Sequence, residues 1–407
     1  MRESGPRENA QILRSVAGSR LRPLLVFAIL FAFGSLAVAT PGLPLVENWT
    51  SVRALGMGNA YTAIVNDGDS LFYNPAGLGR VSGINWTIVD ARAGIDDINI
   101  VQTLNNFKSS TDTTKFIQSE YGKHHWINAG AKTAITIPHL GVAAFGNAEA
   151  LTSITNPPYP QLNLQYYQDY GAAAGLSFDF FPEIVKFGFD VKYIIRTGTE
   201  STFTSDQLAS LNTTAITDAL KSTGTGYALD TGIVITVPAP IRPSLSFVWK
   251  NMGTTAFTKT AGPAAPPSIA DEMIVGGALE FNIPLLLSIT PTFDYKYANR
   301  ADVQLGKKLS IGLEVSLPIL NVRGGFNQGY YTLGVGANLG ILRVDAATYG
   351  EELGEYPGQI EDRRYVVEAI FEVGFDPFAF FGGGSGSKSG SGSSNGGSYR
   401  RGLKQRR

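Results

Sequence analysis

The sequence has 407 residues, with 33 lysine and arginine residues against 34 aspartate and glutamate residues, so its formal net charge is −1 at neutral pH. This balance argues against a nucleic-acid partner, because nucleic-acid-binding chains carry a basic surplus. The chain has no cysteine, which excludes a disulfide framework, thiolate chemistry and a lipidated cysteine. Glycines and aromatic residues are plentiful, and only 16% of residues are charged. The composition favours either a secreted all-β protein or a membrane β-barrel.

The N-terminal segment is typical of a signal peptide. Several arginines precede an apolar run over residues 24–37, and the small residues Ala37, Val38 and Ala39 provide an A-x-A cleavage site. We therefore expect residues 1–39 to direct export. The alternative is a transmembrane anchor, although the run is shorter than the about 20 residues that a spanning helix needs. No later segment is long and apolar enough for a spanning helix.

Alternation of apolar and polar residues with a period of two recurs along residues 84–376. It is regular over residues 185–196, 308–317 and 365–375, where one parity is apolar and the other includes the charged residues. Strict alternation over about ten residues is typical of a transmembrane β-strand. We count about fourteen such strands, an even number as in bacterial single-chain barrels. They begin near residues 84, 126, 139, 166, 184, 226, 242, 272, 285, 308, 320, 330, 341 and 364.

The connections between these strands alternate in length. Tight turns, several with proline, fall near residues 138, 182, 238–240, 282–284, 318 and 339–341, and longer polar segments such as residues 149–165 lie between them. Short turns on one rim and long loops on the other are typical of outer-membrane barrels. The exception is the tight turn at 327–329, where a long loop is due. The sequence thus predicts an all-β, transmembrane, antiparallel, up-and-down β-barrel over residues 84–376.

The parity of the strands predicts which charged residues face the lumen. They are Lys132, Lys186, Asp190, Lys192, Arg196, Asp230, Arg242, Lys250, Glu280, Asp294, Lys296, Glu314, Arg323, Arg343, Asp345, Glu368 and Glu372. Because acids and bases are mixed, most of them would neutralise each other or the N-terminal segment. The alternative is that Lys186, Lys192 and Arg196, which lie on one strand, bind an anionic head group such as a carboxylate.

Aromatic residues near the predicted strand ends would form girdles at the membrane interfaces. They are Phe180, Phe181, Trp249, Tyr295, Tyr297, Tyr330 and Tyr331. Each of them alone would fit a protein core equally well.

Residues 40–83 lack alternation and precede the first strand, so they would lie in the periplasm or in the lumen. A fourteen-stranded barrel leaves an open hole unless something fills it. Small residues such as Gly56 and Gly58 let backbones approach closely, and Asn74-Pro75 is a turn initiator. We interpret this segment as a compact N-terminal hatch inside the lumen. Its glycines would either give it freedom to move or only allow tight packing.

The same segment resembles a known family. Residues 53–58 (RALGMG) and 73–78 (YNPAGL) are similar to the N-terminal signature of the FadL/TodX superfamily of outer-membrane transport barrels. That superfamily includes a PorV/PorQ-like branch associated with type IX secretion. Asn74, Pro75 and Ala76 match the core of its hatch motif.

The resemblance implies a function in the bacterial outer membrane. In this superfamily, hydrophobic molecules such as long-chain fatty acids diffuse passively through a lumen blocked by the hatch, and leave laterally through a wall defect. The implied partners are outer-membrane lipid, a hydrophobic ligand and the barrel assembly machinery. Residues 248–253 and 322–336 are similar to the PorV-like branch. The alternative is therefore a non-transporting barrel that binds surface proteins or secretion-system components.

Pro291 interrupts the strand predicted over residues 285–297, on its outward face. Proline cannot donate a hydrogen bond to the ladder. A kink at Pro291 would open a lateral window in the wall; the alternative is a bulge that only bends the barrel.

No enzyme activity, cofactor or metal site is predicted. The histidines are His124, His125 and His139, and the adjacent pair lacks a third ligand or a positioned nucleophile at a defined spacing. Gly56-Met57-Gly58 lacks the lysine of a phosphate-binding loop. Residues 377–407 are rich in glycine and serine and end in basic residues, so we expect a disordered tail. Its alternative role is tethering to an anionic partner.

Overall fold

The computed structural model of the protein describes residues 47, 49–97, 120–155, 158–159, 161–181, 184–204, 220–283 and 287–375. The expected signal peptide and the expected C-terminal tail both lie outside these residues.

The described strands form one antiparallel sheet that closes on itself, because the first strand pairs with the last. The strands are β1 (Ile84–Ile95), β2 (His124–Ile137), β3 (Leu140–Thr155), β4 (Gln161–Phe181), β5 (Val185–Phe203), β6 (Thr223–Thr236), β7 (Ser244–Lys250), β8 (Thr258–Ala261), β9 (Glu272–Ala278), β10 (Phe281–Ile283), β11 (Leu287–Tyr295), β12 (Leu309–Ser316), β13 (Leu320–Asn327), β14 (Tyr330–Asn338), β15 (Leu342–Glu352) and β16 (Glu361–Phe375).

Fourteen strands make the wall. β9 and β10 are two parts of one wall strand, since both pair with β11. The short β8 pairs only with β6 and lies off the path of the sheet. The predicted barrel is confirmed, and each predicted strand begins within five residues of its position in the structure.

Alternation along each strand separates the two faces of the wall. In β12, Ile311 and Leu313 are exposed on the outer surface, while Ser310, Gly312 and Glu314 are buried. An outer face of this kind suits lipid, and the pairing of β1 with β16 removes the free edge strands that an open sheet would have. The alternation in the sequence therefore separates the residues that face the inside of the transmembrane barrel from those on its outer surface.

The two rims differ as expected, and we name them the turn rim and the loop rim. At the turn rim, residues 138–139, 317–319 and 339–341 join neighbouring strands tightly. The prediction of a long loop at residues 149–165 is wrong, because β3 and β4 form a hairpin whose strands pair as far as Thr155 and Gln161. The tight turn predicted at 327–329, the exception on the loop rim, is present in the structure. Gln328 (φ 53°) and Gly329 (φ 94°) have the left-handed backbone of a two-residue hairpin loop.

Most of the charged residues predicted to face the lumen do so. Thirteen of the seventeen are buried, and three more, Glu280, Arg343 and Glu372, are half-buried. Arg242 was predicted wrongly. It lies exposed in the connection between β6 and β7 with a φ of 36°, because the strand begins two residues later.

The prediction of the aromatic girdles is only partly right. Phe180, Phe181 and Tyr331 are more than half exposed on the outer surface. Trp249 and Tyr297, by contrast, are buried. The Trp249 indole nitrogen donates a hydrogen bond of 3.2 Å to Asp271, in the segment that follows β7. Trp249 therefore has a hydrogen-bond partner inside the protein, close to its own strand.

The N-terminal residues 49–83, which we call the luminal segment, lie against the inner face of the barrel. They contain α1 (Val52–Gly56), α2 (Ser70–Tyr73) and a 3₁₀ helix (Pro75–Arg80). α1 contacts β13 to β16, and the 3₁₀ helix contacts β3 to β6. One further short helix, α3 (Leu305–Lys308), precedes β12. No helix among the described residues is long and apolar enough to cross a membrane.

We predict that Leu313→Lys destabilises the barrel by about 2–4 kcal/mol, because it puts a charge on the lipid face in the middle of β12. Ile319→Lys, in the connection between β12 and β13, is the matched control with an expected cost of about 0–1 kcal/mol. Urea titration of the protein refolded into lipid vesicles measures both. Equal costs would contradict the assignment of Leu313 to the lipid face.

Candidate functional site

The Asn74-Pro75-Ala76 motif forms a closed turn inside the barrel. The Asn74 side-chain amide donates to the Thr62 carbonyl at 2.9 Å, and its Oδ1 accepts from the Ala76 amide at 3.0 Å. Asn74 is completely buried, and Pro75 begins the 3₁₀ helix. Asparagine thus caps this helix and also ties it to the preceding part of the luminal segment. Alanine at position 74 could do neither.

Two glycines of the wall, neither of them among the residues predicted from the sequence, accommodate this turn. Gly188 of β5 and Gly232 of β6 are cross-strand neighbours. A Cβ at Gly188 would lie 2.3 Å from the Pro75 carbonyl carbon, and one at Gly232 would lie 2.1 Å from Asn74 Oδ1. Gly188 and Gly232 lie at positions of β5 and β6 whose side chains face inward. The sequence signal that could have identified them is a glycine where the neighbouring inward-facing residues are charged.

A second close approach joins α1 to the opposite side of the wall. Gly56 lies against Gly334, where a Cβ on Gly56 would come within 3.0 Å of the Gly334 Cα. Gly58 has a φ of 65° and packs on the backbone at Phe326, and its amide donates to Thr332 Oγ1 at 2.9 Å. The predicted small residues therefore do provide backbone-to-backbone packing, which was the simpler of the two expectations for them.

A buried network of charges fixes α1. Arg53 donates two hydrogen bonds to the Glu314 carboxylate, at 2.9 and 2.6 Å, and a third to the Tyr61 hydroxyl. Glu314 also accepts from Arg323 at 2.7 Å, and Arg323 continues to Asp345. Removal of one member of such a network leaves an unpaired buried charge, which costs about 3–5 kcal/mol.

Further polar contacts hold the middle of the luminal segment. Lys132 of β2 forms ion pairs with Asp69 and, at 3.1 Å, with Asp90. Asp294 of β11 accepts hydrogen bonds from the amides of Tyr61 and Thr62 at 2.9 and 3.1 Å. Strands on opposite sides of the barrel therefore bind this segment.

Two carboxyl groups of the luminal segment have shifted pKa values in opposite directions. Burial raises the pKa of Asp67 to about 6, and the charge of Asp69 adds to the rise. Burial would also raise the pKa of Asp69, but the charge and hydrogen bond of Lys132, together with Arg343 and Ser51, lower that pKa. Since the folded chain holds the Asp67 proton more tightly than the unfolded chain, this group reduces stability as the pH rises from about 4 to about 6.

The three cations predicted to bind a head group all have carboxylate partners. Lys186 donates to both oxygens of Asp179 at 2.9 Å. Lys192 pairs with Asp190 and Asp230, and Arg196 binds Asp169 with two hydrogen bonds, of 2.8 and 2.7 Å. Their role in binding a ligand stays a prediction, and these pairs favour neutralisation of the inner wall.

Pro291 lies at a short break in the ladder. Leu279, between β9 and β10, donates its amide to the Pro291 carbonyl at 3.1 Å, and proline returns no hydrogen bond. The pairing resumes beyond it without a change of register. On the outer surface, an apolar depression of about 430 Å³ borders Pro291 and Leu279. Whether this break opens as a window stays a prediction.

The interior keeps a small cavity of about 50 Å³ near the loop rim. Most of the residues that border it are polar or charged, and apolar side chains of an inner cluster complete its lining, among them Val52 and Leu55 of α1 and Trp126, Tyr349 and Val366 of the wall. Sequence parity alone did not identify this cluster, because Trp126 and Tyr349 become neighbours only when the barrel closes.

Arg92 also borders the cavity and differs from the other luminal arginines. Its guanidinium donates to Thr50 Oγ1 at 2.6 Å and to Asn147 Oδ1 at 2.8 Å, both neutral oxygens. Its Nε has no hydrogen-bond partner among the described residues. The ring of Trp49 lies 4.4 Å from the guanidinium carbon. Arg92 is therefore a buried cation bonded to neutral groups beside an apolar cluster.

These features define a transmembrane β-barrel with an occupied lumen. No protein-family model and no curated protein matches the sequence.

Several solved structures are similar to this chain. The Pseudomonas putida toluene transporter TodX is 11% identical, with a TM-score of 0.45, over 82% of this chain and 99% of TodX. The Ralstonia pickettii toluene transporter TbuX is 12% identical, with a TM-score of 0.46, over 81% of this chain and 99% of TbuX. The monoaromatic hydrocarbon channel CymD is 10% identical, with a TM-score of 0.43, over 84% of this chain and 99% of CymD.

Each of these three proteins is a channel or a transporter. At these identities and TM-scores, the similarity assigns neither a substrate nor a mechanism to this chain.

We predict that Gly188→Ala displaces the Asn74–Ala76 turn, because the new methyl group would overlap the Pro75 backbone. The expected result is faster tryptic cleavage after Arg53 and Arg80 in the folded protein. Gly324→Ala is the matched control, since its Cβ would meet no atom closer than 3.8 Å. Protection equal to that of the wild type in Gly188→Ala would contradict the tight contact.

Proposed function

We propose that the protein is an outer-membrane channel for passive uptake of hydrophobic small molecules, gated by the luminal segment as a hatch. The observation that carries the proposal is that α1, which packs inside the barrel against β13 to β16, also supplies Val52 and Leu55 to the apolar cluster beside the cavity. A movement of α1 would therefore enlarge the space that a hydrophobic molecule could occupy.

The physical reason for such a channel is the outer leaflet, whose polar surface hydrophobic solutes cross slowly. An apolar cluster near the loop rim would take the solute out of water, which is favourable by about 25 cal/mol per Å² of apolar surface buried. Transport down a gradient then needs no further source of energy. Small residues where α1 touches the wall, Gly56 and Gly334, would allow it to slide.

The ligand class in this proposal is a long-chain fatty acid or a similar amphiphile. Arg92 supports it, because a carboxylate would supply the charged partner that Thr50 and Asn147 do not. A ligand without charge, such as toluene, would use only the apolar cluster. The proposal thus transfers the role of the head-group site from Lys186, Lys192 and Arg196 to Arg92.

The second candidate is a non-transporting barrel that binds surface proteins or components of a secretion system. The observation that favours it is the density of buried contacts on the luminal segment, where Arg53, Asp69 and Thr62 are each bonded to the wall. A segment held in this way would suit a permanent plug.

Uptake of radiolabelled oleate by cells that lack the gene tests the first proposal, with the wild type and the variant Asn74→Ala plus Pro75→Ala as complements. We expect loss on deletion, rescue by the wild type and a changed rate in the variant, since its turn loses the cap and the fixed proline. If uptake never depends on the gene, the transport proposal fails, and proteins retained on the purified barrel would favour the second candidate.

We predict that Arg92→Gln lowers oleate uptake about tenfold while toluene uptake stays within twofold, because a hydrogen bond to a charged group contributes about 1.5–3 kcal/mol. Glutamine keeps a donor for Asn147 in the folded wall. The matched control is Lys186→Gln, at a cation that Asp179 neutralises, and it should leave oleate uptake unchanged. An equal loss of both substrates in Arg92→Gln would contradict binding of the carboxylate.

A further inference from the structure

An apolar depression lies on the outer surface of the wall, near the turn rim, where β6, β7, β9 and β11 are neighbours. Its volume is about 430 Å³. Ser244 and Thr292 are the polar residues that border it, and the rest of its lining is apolar or glycine. Ile235, Leu245 and Phe293 of this lining are exposed, so the depression is open toward the membrane. Hydrocarbon is the occupant that such a surface suits.

A glycine of the wall creates the space. Gly277 of β9 lies between its cross-strand neighbours Leu245 of β7 and Phe293 of β11. A Cβ on Gly277 would meet no atom closer than Leu245 Cδ2, at 3.6 Å. The strands on either side of β9 are about 10 Å apart. The gap over Gly277 is therefore wide enough for one acyl chain.

An exposed cation lies at the turn-rim end of the depression. Pro243 and Leu279 border the depression at this end. Their chain neighbours Arg242 and Glu280 form an ion pair, with 3.7 Å between the guanidinium and the carboxylate. This distance is too long for a hydrogen bond. The Arg242 side chain is 53% exposed, so a second anion can reach it.

Glu280 does not neutralise this end of the barrel. The same carboxylate lies 3.9 Å from the guanidinium of Arg80. Arg80 is held in place by the luminal side of the wall, since it donates to Ser244 Oγ at 2.7 Å. One carboxylate thus faces two guanidinium groups, and an excess positive charge remains at the exposed Arg242.

The connection between β6 and β7 fixes the position of Arg242. Three of the seven residues at 237–243 are prolines, which restrict the backbone. The Arg242 amide donates to the Ala239 carbonyl at 3.0 Å, and the Ile241 carbonyl accepts from the Glu280 amide at 2.9 Å. The φ of Arg242 is 36°, in the left-handed region that favours glycine. An arginine held in this backbone conformation indicates a function for its side chain.

Exposed aromatic residues indicate the level of the membrane interface. Phe181 is 63% exposed on the outer surface. It pairs with Val185, which in turn pairs with Ile235 at the border of the depression. Aromatic side chains of this kind lie at the level of the lipid head groups, and the turn rim of an outer-membrane barrel faces the periplasm. Arg242 therefore lies at the level of the periplasmic head groups, and the depression extends from there along the acyl chains.

We propose that Arg242 and the depression together bind one phospholipid with a negatively charged head group, such as phosphatidylglycerol, from the periplasmic leaflet. An acyl chain lies over Gly277, between Leu245 and Phe293. The phosphate accepts charge-assisted hydrogen bonds from Arg242. This lipid site does not depend on the proposed channel function, because it uses only the outer surface of a closed wall.

Native mass spectrometry of the delipidated full-length protein in detergent tests the site by measuring how tightly the first lipid molecule binds. Phosphatidylglycerol and phosphatidylcholine with the same acyl chains are titrated separately. Both lipids carry a phosphate, but the choline group cancels its charge in the second. We expect phosphatidylglycerol to bind about tenfold more tightly, because its phosphate keeps a full charge for Arg242. Equal binding of the two lipids overturns the proposal.

Arg242→Gln tests the head-group contact. Its expected result is that phosphatidylglycerol binds about tenfold more weakly, at the level of phosphatidylcholine. The matched control is Lys123→Gln at the loop rim, since the Lys123 side chain is 55% exposed and also pairs with a single carboxylate, that of Glu120. A preference for phosphatidylglycerol that persists in Arg242→Gln, or that Lys123→Gln abolishes equally, overturns the proposal.

Gly277→Leu tests the acyl-chain contact, because the new side chain fills the depression. We expect the first phosphatidylglycerol to bind about tenfold more weakly, the effect of losing about two buried CH₂ groups. Gly324→Leu is the matched control at another outward-facing position, where a Cβ would meet no atom closer than 3.8 Å. Unchanged binding in Gly277→Leu overturns the lipid site. A wild-type dimer that Gly277→Leu abolishes also overturns it, and assigns the depression to a second copy of the barrel.

Discussion

The width of a fourteen-stranded barrel is the constraint on which the rest of this structure depends. A closed wall of this size satisfies its backbone hydrogen bonds and faces lipid with apolar side chains, but its own side chains do not fill the interior. The luminal segment occupies that space. The luminal segment is not part of the sheet, so each of its contacts needs a complementary feature on the inner face of the wall. Those features explain many residues that strand formation alone would not explain.

Two kinds of complementarity meet this need. Where backbone touches backbone, the wall has glycine, as at Gly188 and Gly232 beneath the Asn74 turn and at Gly334 beneath Gly56. Where charge is buried, the wall and the luminal segment supply opposite partners, as with Arg53 and Glu314. Buried pairs add little net stability over apolar packing, but they penalise any misplaced arrangement. The segment is therefore positioned specifically.

Much of the fold could be predicted from the sequence because its signals are local. Strand positions follow from alternation, and the charges on the inner face follow from parity, with Arg242 as the exception beyond a strand end. The contact partners were not predictable in this way. That Gly232 faces Asn74, or that Tyr349 meets Trp126, depends on the closure and register of the barrel. Arg92 was missed for the same reason, since its neutral partners come from distant parts of the chain.

One irregularity in the sequence gains a physical meaning in the folded wall. The two-residue turn at Gln328–Gly329 ends β13 at Asn327 and begins β14 at Tyr330. In the register of the β14–β15 ladder Tyr330 would face Glu351, so the two strands reach the same level, yet their pairing stops at Leu333 and Thr348. Tyr330 instead packs against Gly350, and its hydroxyl donates to Glu352 at 2.7 Å. A short turn where a long loop is due therefore places side-chain contacts where the ladder of the wall would otherwise continue.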